Sequence, residues 1–274
     1  MSKSTAVSKV VETALTTAAD NAIALNDLAE FAGAGFENAT VTSFAIPFLQ
    51  LLQSGSPQCK RSDGAFIEGA SEGMLLNTVS NEVIDVFKRP AKLIFVYHKE
   101  AKVEWRTREN GGGFVQEHPA TYKPATTKDD KGRQILDNGN QLVDTTTFYV
   151  LRLTEDGIPI PMVVTFTSTQ LRKARKLMTV LRTPLLYSGQ LIGNPPMFLR
   201  AFEATTVAES NEKGSWFGWE FKETGLTDGS TFAFAKKFYK DVVGGNVKEA
   251  TDSLRPEGAG VDNNGAGDAG AAAF

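Results

Sequence analysis

The beginning of the chain has the apolar spacing of an amphipathic helix. Residues 4–32 contain no proline or glycine, and apolar side chains recur there every three or four positions, as one face of a helix requires. These apolar positions are Val7, Val11, Leu15, Ala18, Ala22, Leu25 and Leu28. Glycines at positions 33 and 35 end the pattern. We predict an N-terminal helical arm over residues 1–40, which either mediates self-association or packs on its own domain.

From Val41 onward the pattern changes to short runs of β-branched and aromatic residues, which are typical of strands. The clearest runs are residues 83–88, 92–98, 102–106, 146–154, 159–167, 198–208 and 216–223. Asp156-Gly157 separates two of them, and this pair readily adopts the positive φ angles of a tight hairpin turn. The runs do not alternate regularly with helices, so they predict an antiparallel barrel or sheet rather than a doubly wound fold.

Two further helices are embedded among these strands. Residues 169–183 have a helical apolar stripe, Ser168 is a suitable N-cap, and Pro184 ends the pattern. A last helix begins at Asp228 or Ser230 and ends at a pair of glycines. The sequence therefore predicts a β-rich α+β fold with embedded helices.

Polar segments lie within the predicted core and after it. Residues 107–146 are rich in Gly, Asp, Asn and Thr, which predicts a long loop that is functional or disordered. Residues 252–274 consist largely of Gly, Ala, Asn and Asp, and we expect this tail to be disordered. The predicted organisation is thus an arm over residues 1–40, a core over residues 41–251 and a C-terminal tail.

The charge of the chain differs between its ends and its middle. The net charge is −3, yet residues 1–40 and 252–274 each carry −3, so residues 41–251 carry +3. A mildly basic core with acidic ends indicates a protein that binds a polyanion.

Several functional classes have no support in the sequence. It contains no run of about 18 apolar residues, which a membrane-spanning helix needs, and no signal-peptide pattern. Cys59 is the only cysteine, which excludes an intrachain disulfide and fits a reducing cytoplasm. Phosphate-binding glycine motifs and hydrolase motifs are also missing. We therefore expect a cytoplasmic binding protein with no cofactor, metal or catalytic site and no membrane partner.

Rings and cations alternate along two predicted strands, where they could share a face. They are Tyr97, His98, Lys99, Lys102, Trp105, Arg106 and Arg108. Single-strand binders need such a surface, because aromatic rings stack on bases while cations follow the phosphates. The alternative is that the rings belong to the core and the charges are merely solvated.

The densest positive cluster lies on the predicted helix over residues 169–183. It comprises Arg172, Lys173, Arg175 and Lys176, with Arg182 further on. Its position opposite the apolar stripe suits phosphate contacts, although it suits plain solvent exposure equally well. A weaker third set contains Lys213, Trp216, Trp219, Lys236 and Lys237.

The tail ends in a single aromatic residue, Phe274, and carries few acids, among them Asp268. A terminal Phe with its carboxylate could dock in a partner's pocket, and acids could compete with DNA for a basic groove. The alternative is an ordinary frayed terminus.

Six blocks of the sequence resemble phage proteins that bind single-stranded DNA. They are IPFLQLLQSGSPQ (46–58), EGASEGMLLNTVSNEV (68–83), VEWRTRENGGGFVQEHP (103–119), FTSTQLRKARKL (166–177), PPMFLR (195–200) and ESNEKGSWFGWEF (209–221). The resemblance implies an OB-like core and sequence-independent binding in phage DNA replication or recombination. The tail is similar to the acidic, Phe-ended tails of single-strand binders, which implies recruitment of replication or recombination proteins.

Two other hypotheses stay open. A virion structural or host-directed interaction protein would suit the helical arm and the small net charge, and a homo-oligomer is possible. A hydrolase or nuclease would have to use the acids near His98 and His118, and no motif supports it.

Overall fold

The structure is a computed structural model, and it describes residues 30–40, 43–107, 110–130, 132–212 and 214–250. The chain divides into two units, which meet in sequence between residues 43 and 44. In the first unit Glu30 is helical, and the turns after it contain Gly33 and Gly35 with positive φ. Nearly all of the predicted arm helix lies outside the described residues, as does the predicted tail.

The second unit contains thirteen strands and two α-helices within the described residues. The strands are β1 Leu49–Leu51, β2 Leu75–Asn77, β3 Val83–Ile84, β4 Ala91–Trp105, β5 Phe114–Pro119, β6 Thr127–Lys128, β7 Gln134–Ile135, β8 Gln141–Leu153, β9 Pro159–Thr167, β10 Leu185–Tyr187, β11 Gln190–Ile192, β12 Arg200–Asn211 and β13 Gly214–Leu226. The helices are α1 Leu171–Arg182 and α2 Gly229–Val243.

Eight strands form one antiparallel sheet that curls into a half-barrel. Hydrogen-bonded neighbours follow the order β13-β12-β4-β8-β7-β6, while β5 also pairs with β4 and β9 with β8. Strands β4 and β8 form the centre of the sheet, because they pair from Lys92↔Leu153 to Trp105↔Gln141. Strands β12 and β9 flank one end of this ribbon, and β5 and β7 flank the other.

A β-bulge in β4 decides which side chains share a face of the sheet. The register with β8 shifts between Phe95 and Tyr97, so Val96 is an extra residue on β4. Phe95 faces one core, whereas Val96 and Tyr97 both face the other. Beyond the bulge, alternation places Tyr97, Lys99 and Trp105 on one face and His98 and Lys102 on the opposite face.

Each face of the sheet carries its own hydrophobic core and its own helix. On the first face, four buried phenylalanines meet edge to face, with centroids 5.4–5.5 Å apart, and α1 covers them. They are Phe95, Phe148, Phe166 and Phe202. On the second face, Ala235 and Phe238 of α2 pack against Ile94 and Tyr149. The two helices therefore lie on opposite faces of the sheet.

The predicted β-rich fold with an antiparallel sheet and embedded helices is confirmed. Residues 146–154 and 159–167 form the predicted hairpin, and Gly157 in its turn has a φ of 78°. Of the two cap candidates for α2, Asp228 is the N-cap, because its side chain accepts from the Thr231 amide at 2.9 Å.

Two local predictions are wrong. Ser168 does not cap α1, because it lies in a 3-10 turn with a φ of 49°, two residues before the N-cap Gln170. Residues 107–146 are not one long loop, since β5, β6, β7 and the start of β8 lie there. Strands β5, β6 and β7 are short and their side chains are largely polar. They therefore lack the alternation of apolar and polar residues by which a sequence indicates a strand.

Candidate nucleic-acid interface

The aromatic rings of β4 belong to the interior rather than to an open cleft. Trp105 is 6% exposed and packs with Val103 and Val143, and its ring meets Phe114 edge-on at 5.6 Å. The prediction that Trp105 projects outward is therefore wrong, because the face it shares with Val103 is closed by its neighbours. Tyr97 is half-buried.

Tyr97 lies at the border of the second core. Its ring centroid is 5.9 Å from that of Tyr149 and 6.2 Å from that of Tyr239 on α2. Contacts on two sides leave little of the Tyr97 ring for a base to stack on.

The two lysines of the predicted β4 set, Lys99 and Lys102, form ion pairs with carboxylates. Lys99 lies 3.0 Å from Glu117 and 3.4 Å from Glu249, and Lys102 pairs with Asp144. Burial alone would lower the pKa of Lys99, but the charges of Glu249 and Glu117 outweigh it and raise that pKa. Both lysines therefore already have carboxylate partners from this chain.

The two arginines of the predicted set, Arg106 and Arg108, do not form one surface with Tyr97, Lys99 and Lys102. Arg106 is exposed and lies just after the end of β4. Arg108 lies outside the described residues. The strand β4 therefore does not gather its rings and cations into one surface.

Helix α1, in contrast, presents cations that are free for a ligand. Ala174, Leu177 and Leu181 are buried in the first core, which turns the opposite side of the helix to solvent. The exposed cations on that side are Arg172, Arg175, Lys176 and Arg182. In the described part of the chain, none of these four forms a salt bridge. The predicted basic face of the helix is thus exposed.

The fifth cation of the helix, Lys173, connects α1 to an indole on the sheet. Its Nζ atom lies 2.7 Å from Oε1 of Glu209 on β12, and Oε2 of Glu209 accepts the Nε1–H of Trp216 at 2.8 Å. Glu209 and Trp216 are directly opposed in the β12–β13 register. Trp216 is half-buried, so part of its ring is accessible beside the cations.

The carboxylate of Glu209 is held in its charged form. Burial would raise the pKa of Glu209, but hydrogen bonds from Lys173 and Trp216 and the charges of Lys173 and Arg172 outweigh burial and lower it. The indole is therefore linked through Glu209 to Lys173 of helix α1.

Gly218 provides the space for this arrangement. A Cβ atom at this position would lie 2.5 Å from Nζ of Lys173 and 2.6 Å from Oε2 of Glu209. The ion pair therefore lies directly over the Gly218 backbone, where a larger side chain would displace it. We refer to Arg172, Lys173, Arg175, Lys176 and Trp216 together as the Trp216 surface.

Sequence reasoning found the members of the Trp216 surface but did not connect them. Trp216 stood in a set with Trp219, yet Trp219 is 3% exposed and stacks on Phe221 within the first core. Lys236 and Lys237 are exposed on α2, on the other face of the sheet. Lys213 lies outside the described residues. No local sequence pattern predicts that Trp216 lies near a helix some forty positions earlier, because the two become neighbours only through the pairing of strands in the sheet.

Within the described residues, no helix has the length and apolar character needed to cross a bilayer. The same residues contain no group of three or more potential His, Cys, Asp or Glu metal ligands.

In the described residues the protein is β-rich, with a curled antiparallel sheet and an exposed basic face on helix α1. A family model described as "Pam3 phage gp34-like protein" matches residues 16–248. The chain belongs to this family, which indicates that it is a phage protein. No curated protein and no solved structure matches the chain.

Proposed function

We propose that this phage protein binds single-stranded DNA without sequence preference, through the Trp216 surface. Binding of this kind needs a ring for the bases and cations for the phosphates. The observation that carries the proposal is the Lys173–Glu209–Trp216 contact, which fixes a partly exposed indole next to helix α1, whose four exposed cations form no salt bridge within the described residues. These contact residues differ from those predicted on residues 97–108, because Trp105 is buried and Lys99 and Lys102 are paired with carboxylates.

The proposal extends to the role of this binding in the phage, which the resemblance to phage single-strand binders implies. We infer that the curled antiparallel half-barrel is an OB-like core, and that the protein coats intermediates of phage DNA replication or recombination in the host cytoplasm. The segment 252–274, with Asp268 and Phe274, would recruit replication or recombination proteins. The antiparallel sheet and the exposed basic face support this role.

Tryptophan fluorescence tests the proposal sharply, because the chain has three tryptophans in different environments. Trp105 and Trp219 are 6% and 3% exposed, whereas Trp216 is half-buried. Oligo-dT should quench the wild-type emission at low salt, and Trp216→Phe should abolish the quenching. Trp105→Phe and Trp219→Phe, each checked for native folding by circular dichroism, are the matched controls and should retain it.

Two results would contradict the proposal. One is that oligo-dT at low salt changes neither the tryptophan emission nor the gel mobility of the wild type. The other is quenching that persists in Trp216→Phe, which would move any DNA site away from this surface.

A second candidate, a virion structural or host-directed interaction protein, is favoured by one observation. Leu186 and Leu191 are 69% and 71% exposed on the hairpin of β10 and β11, which is unusual for an apolar pair and typical of an interaction surface. Detection of the protein in purified phage particles, together with no affinity for DNA, would support this candidate over the first.

A further inference from the structure

After helix α2 the chain returns to the beginning of the core and runs beside Ile46. The amide of Ile46 donates to the Lys248 carbonyl at 2.8 Å, and the amide of Ala250 donates to the Ile46 carbonyl at 3.0 Å. The pairing of Ile46 with Glu249 is an isolated parallel bridge, which lies outside the thirteen strands. We refer to residues 247–250 as the strap.

The side chain of Glu249 fastens the strap to the second face of the large sheet. Its Oε1 atom accepts from the hydroxyl of Tyr149 on β8 and lies 3.4 Å from Nζ of Lys99 on β4. One carboxylate oxygen therefore contacts two neighbouring strands of the sheet. The Glu249 side chain is 20% exposed, so most of it is withdrawn from solvent. Hydrogen bonds to a charged group are about twice as strong as those between neutral groups, so this attachment depends on the charge of Glu249.

The protonation states of Glu249 and Tyr149 suit this attachment. Burial would raise the pKa of Glu249, but the hydrogen bond from Tyr149 and the charge of Lys99 outweigh burial and lower that pKa. Burial and the hydrogen bond to Glu249 both raise the pKa of Tyr149. A neutral hydroxyl therefore donates to an ionised carboxylate near neutral pH.

The other residues of the strap and the turn before it are held less firmly. Lys248 is exposed, and Val247 is only partly buried against the second core. Gly244 and Gly245, which link α2 to the strap, are exposed, and the φ of 71° at Gly245 is one that glycine adopts without strain. A few such residues at the end of a helix can absorb the φ and ψ changes of a hinge. The structure thus has a hinge at one end of the strap and a charged attachment within it.

We propose that the Glu249 carboxylate is a latch, and that its release lets the strap leave the second face while the sheet and α2 stay folded. The chain after Ile46 remains in place, because the Val163 amide donates to the Pro47 carbonyl at 2.9 Å. In the closed form the latch covers the Tyr149 hydroxyl and one side of Lys99. In the open form both become accessible on the face that also carries Tyr97. The latch thereby controls access to a patch of rings and a cation, and this inference does not depend on DNA binding.

Hydrogen exchange at single amides of the full chain tests the latch. The amides of Ile46 and Ala250 form their bonds to the strap pairing only in the closed form, whereas the Val163 amide bonds outside it. Local opening exchanges an amide without global unfolding, so the first two should exchange faster than the third in the wild type. Glu249→Gln should accelerate the first two by about tenfold or more, the value of one hydrogen bond to a charged group, and leave the third unchanged.

Lys248→Gln is the matched control, because it removes a charge from an exposed position of the same strap and should leave all three rates unchanged. Tyr149→Phe removes only the hydroxyl and should act in the same direction as Glu249→Gln. Labelling with an amine-reactive ester gives a second measurement. Lys99 should react faster in Glu249→Gln than in the wild type, while Lys92, which is exposed on the same strand, should react equally in both.

Three results would overturn the latch. The first is unchanged exchange at Ile46 and Ala250 in Glu249→Gln. The second is an equal acceleration at Val163, which would mean that the whole core opens rather than the strap. The third is a wild type in which all three amides exchange at the rate of global unfolding. Circular dichroism shows whether each variant is folded, and since no measurement involves DNA, the outcome is independent of oligo-dT quenching.

Discussion

Lys173 and Glu209 lie 2.7 Å apart between Nζ and Oε1, and this ion pair joins helix α1 to strand β12. The other oxygen of Glu209 accepts the indole N–H of Trp216. The same carboxylate therefore links helix α1 to the sheet and fixes the indole N–H of Trp216. Its side chains are 17% and 25% exposed, so the interaction is partly shielded from solvent.

Replacing Gly218 by alanine should weaken DNA binding without unfolding the protein. The new Cβ would lie 2.5 Å from Lys173 and 2.6 Å from Glu209, and both contacted atoms end flexible side chains that can move away. The stability should fall by about 1 kcal/mol or less, as for a lost ion pair near the surface. Affinity for oligo-dT should fall by about 5- to 150-fold, the value of one stacked base. Fluorescence titration and thermal unfolding measure the two effects.

Gly64→Ala serves as the control for this variant. A Cβ at Gly64 would meet no atom within 4 Å, so both stability and affinity should stay at wild-type values. An unchanged affinity in Gly218→Ala would contradict the role assigned to the Lys173–Glu209 pair.

The basic face of α1 should determine the salt dependence of binding. Each phosphate contact on a single strand contributes about −0.7 to the slope of log K against log salt. The double variant Arg175→Gln/Lys176→Gln should therefore reduce the magnitude of the slope by about 1.4. Gel shifts with oligo-dT at several salt concentrations provide the measurement.

Lys236→Gln/Lys237→Gln removes the same charge from α2, on the other face of the sheet. It should leave the slope unchanged. Equal effects of the two double variants would mean that only the net charge of the protein matters.

Much of the fold could be predicted from the sequence, because its signals are local. The alternation of β8 and β9 around Asp156-Gly157 and the apolar stripe of α1 need only neighbouring residues. The bulge at Val96 and the short strands of residues 114–135 could not be predicted, since pairing with distant strands defines them.

The candidate site could be predicted only in part, for the same reason. The cations of α1 were evident because they lie opposite the apolar stripe. The burial of Trp105 depends on Val143, and the position of Trp216 depends on Lys173. Both contacts join residues that are far apart in sequence, so composition and spacing carried no information about them.

The buried carboxylate of Glu104 leads to a prediction about stability. Its Oε1 accepts from Asn138 and Asn140 at 2.9 and 2.6 Å, and its Oε2 lies 3.1 and 2.8 Å from the side chains of Gln116 and His118. The carboxylate thus joins β4 to β5 and to the turn before β8. Burial would raise the pKa of Glu104, but these hydrogen bonds outweigh burial and lower the pKa to about 2.

Because the pKa in the folded state lies below the unfolded value of 4.5, Glu104 stabilises the fold fully above that value. The contribution, about 3 kcal/mol, is lost progressively as the pH falls toward 2. Glu104→Gln should therefore lower the free energy of unfolding by about 3 kcal/mol at pH 7 and by much less near pH 3, as measured by urea unfolding. Glu100 is exposed on the same strand, and Glu100→Gln should change the free energy of unfolding at neither pH. If Glu104→Gln lowered the free energy of unfolding by the same amount at both pH values, the side chain would act by packing rather than through its charge.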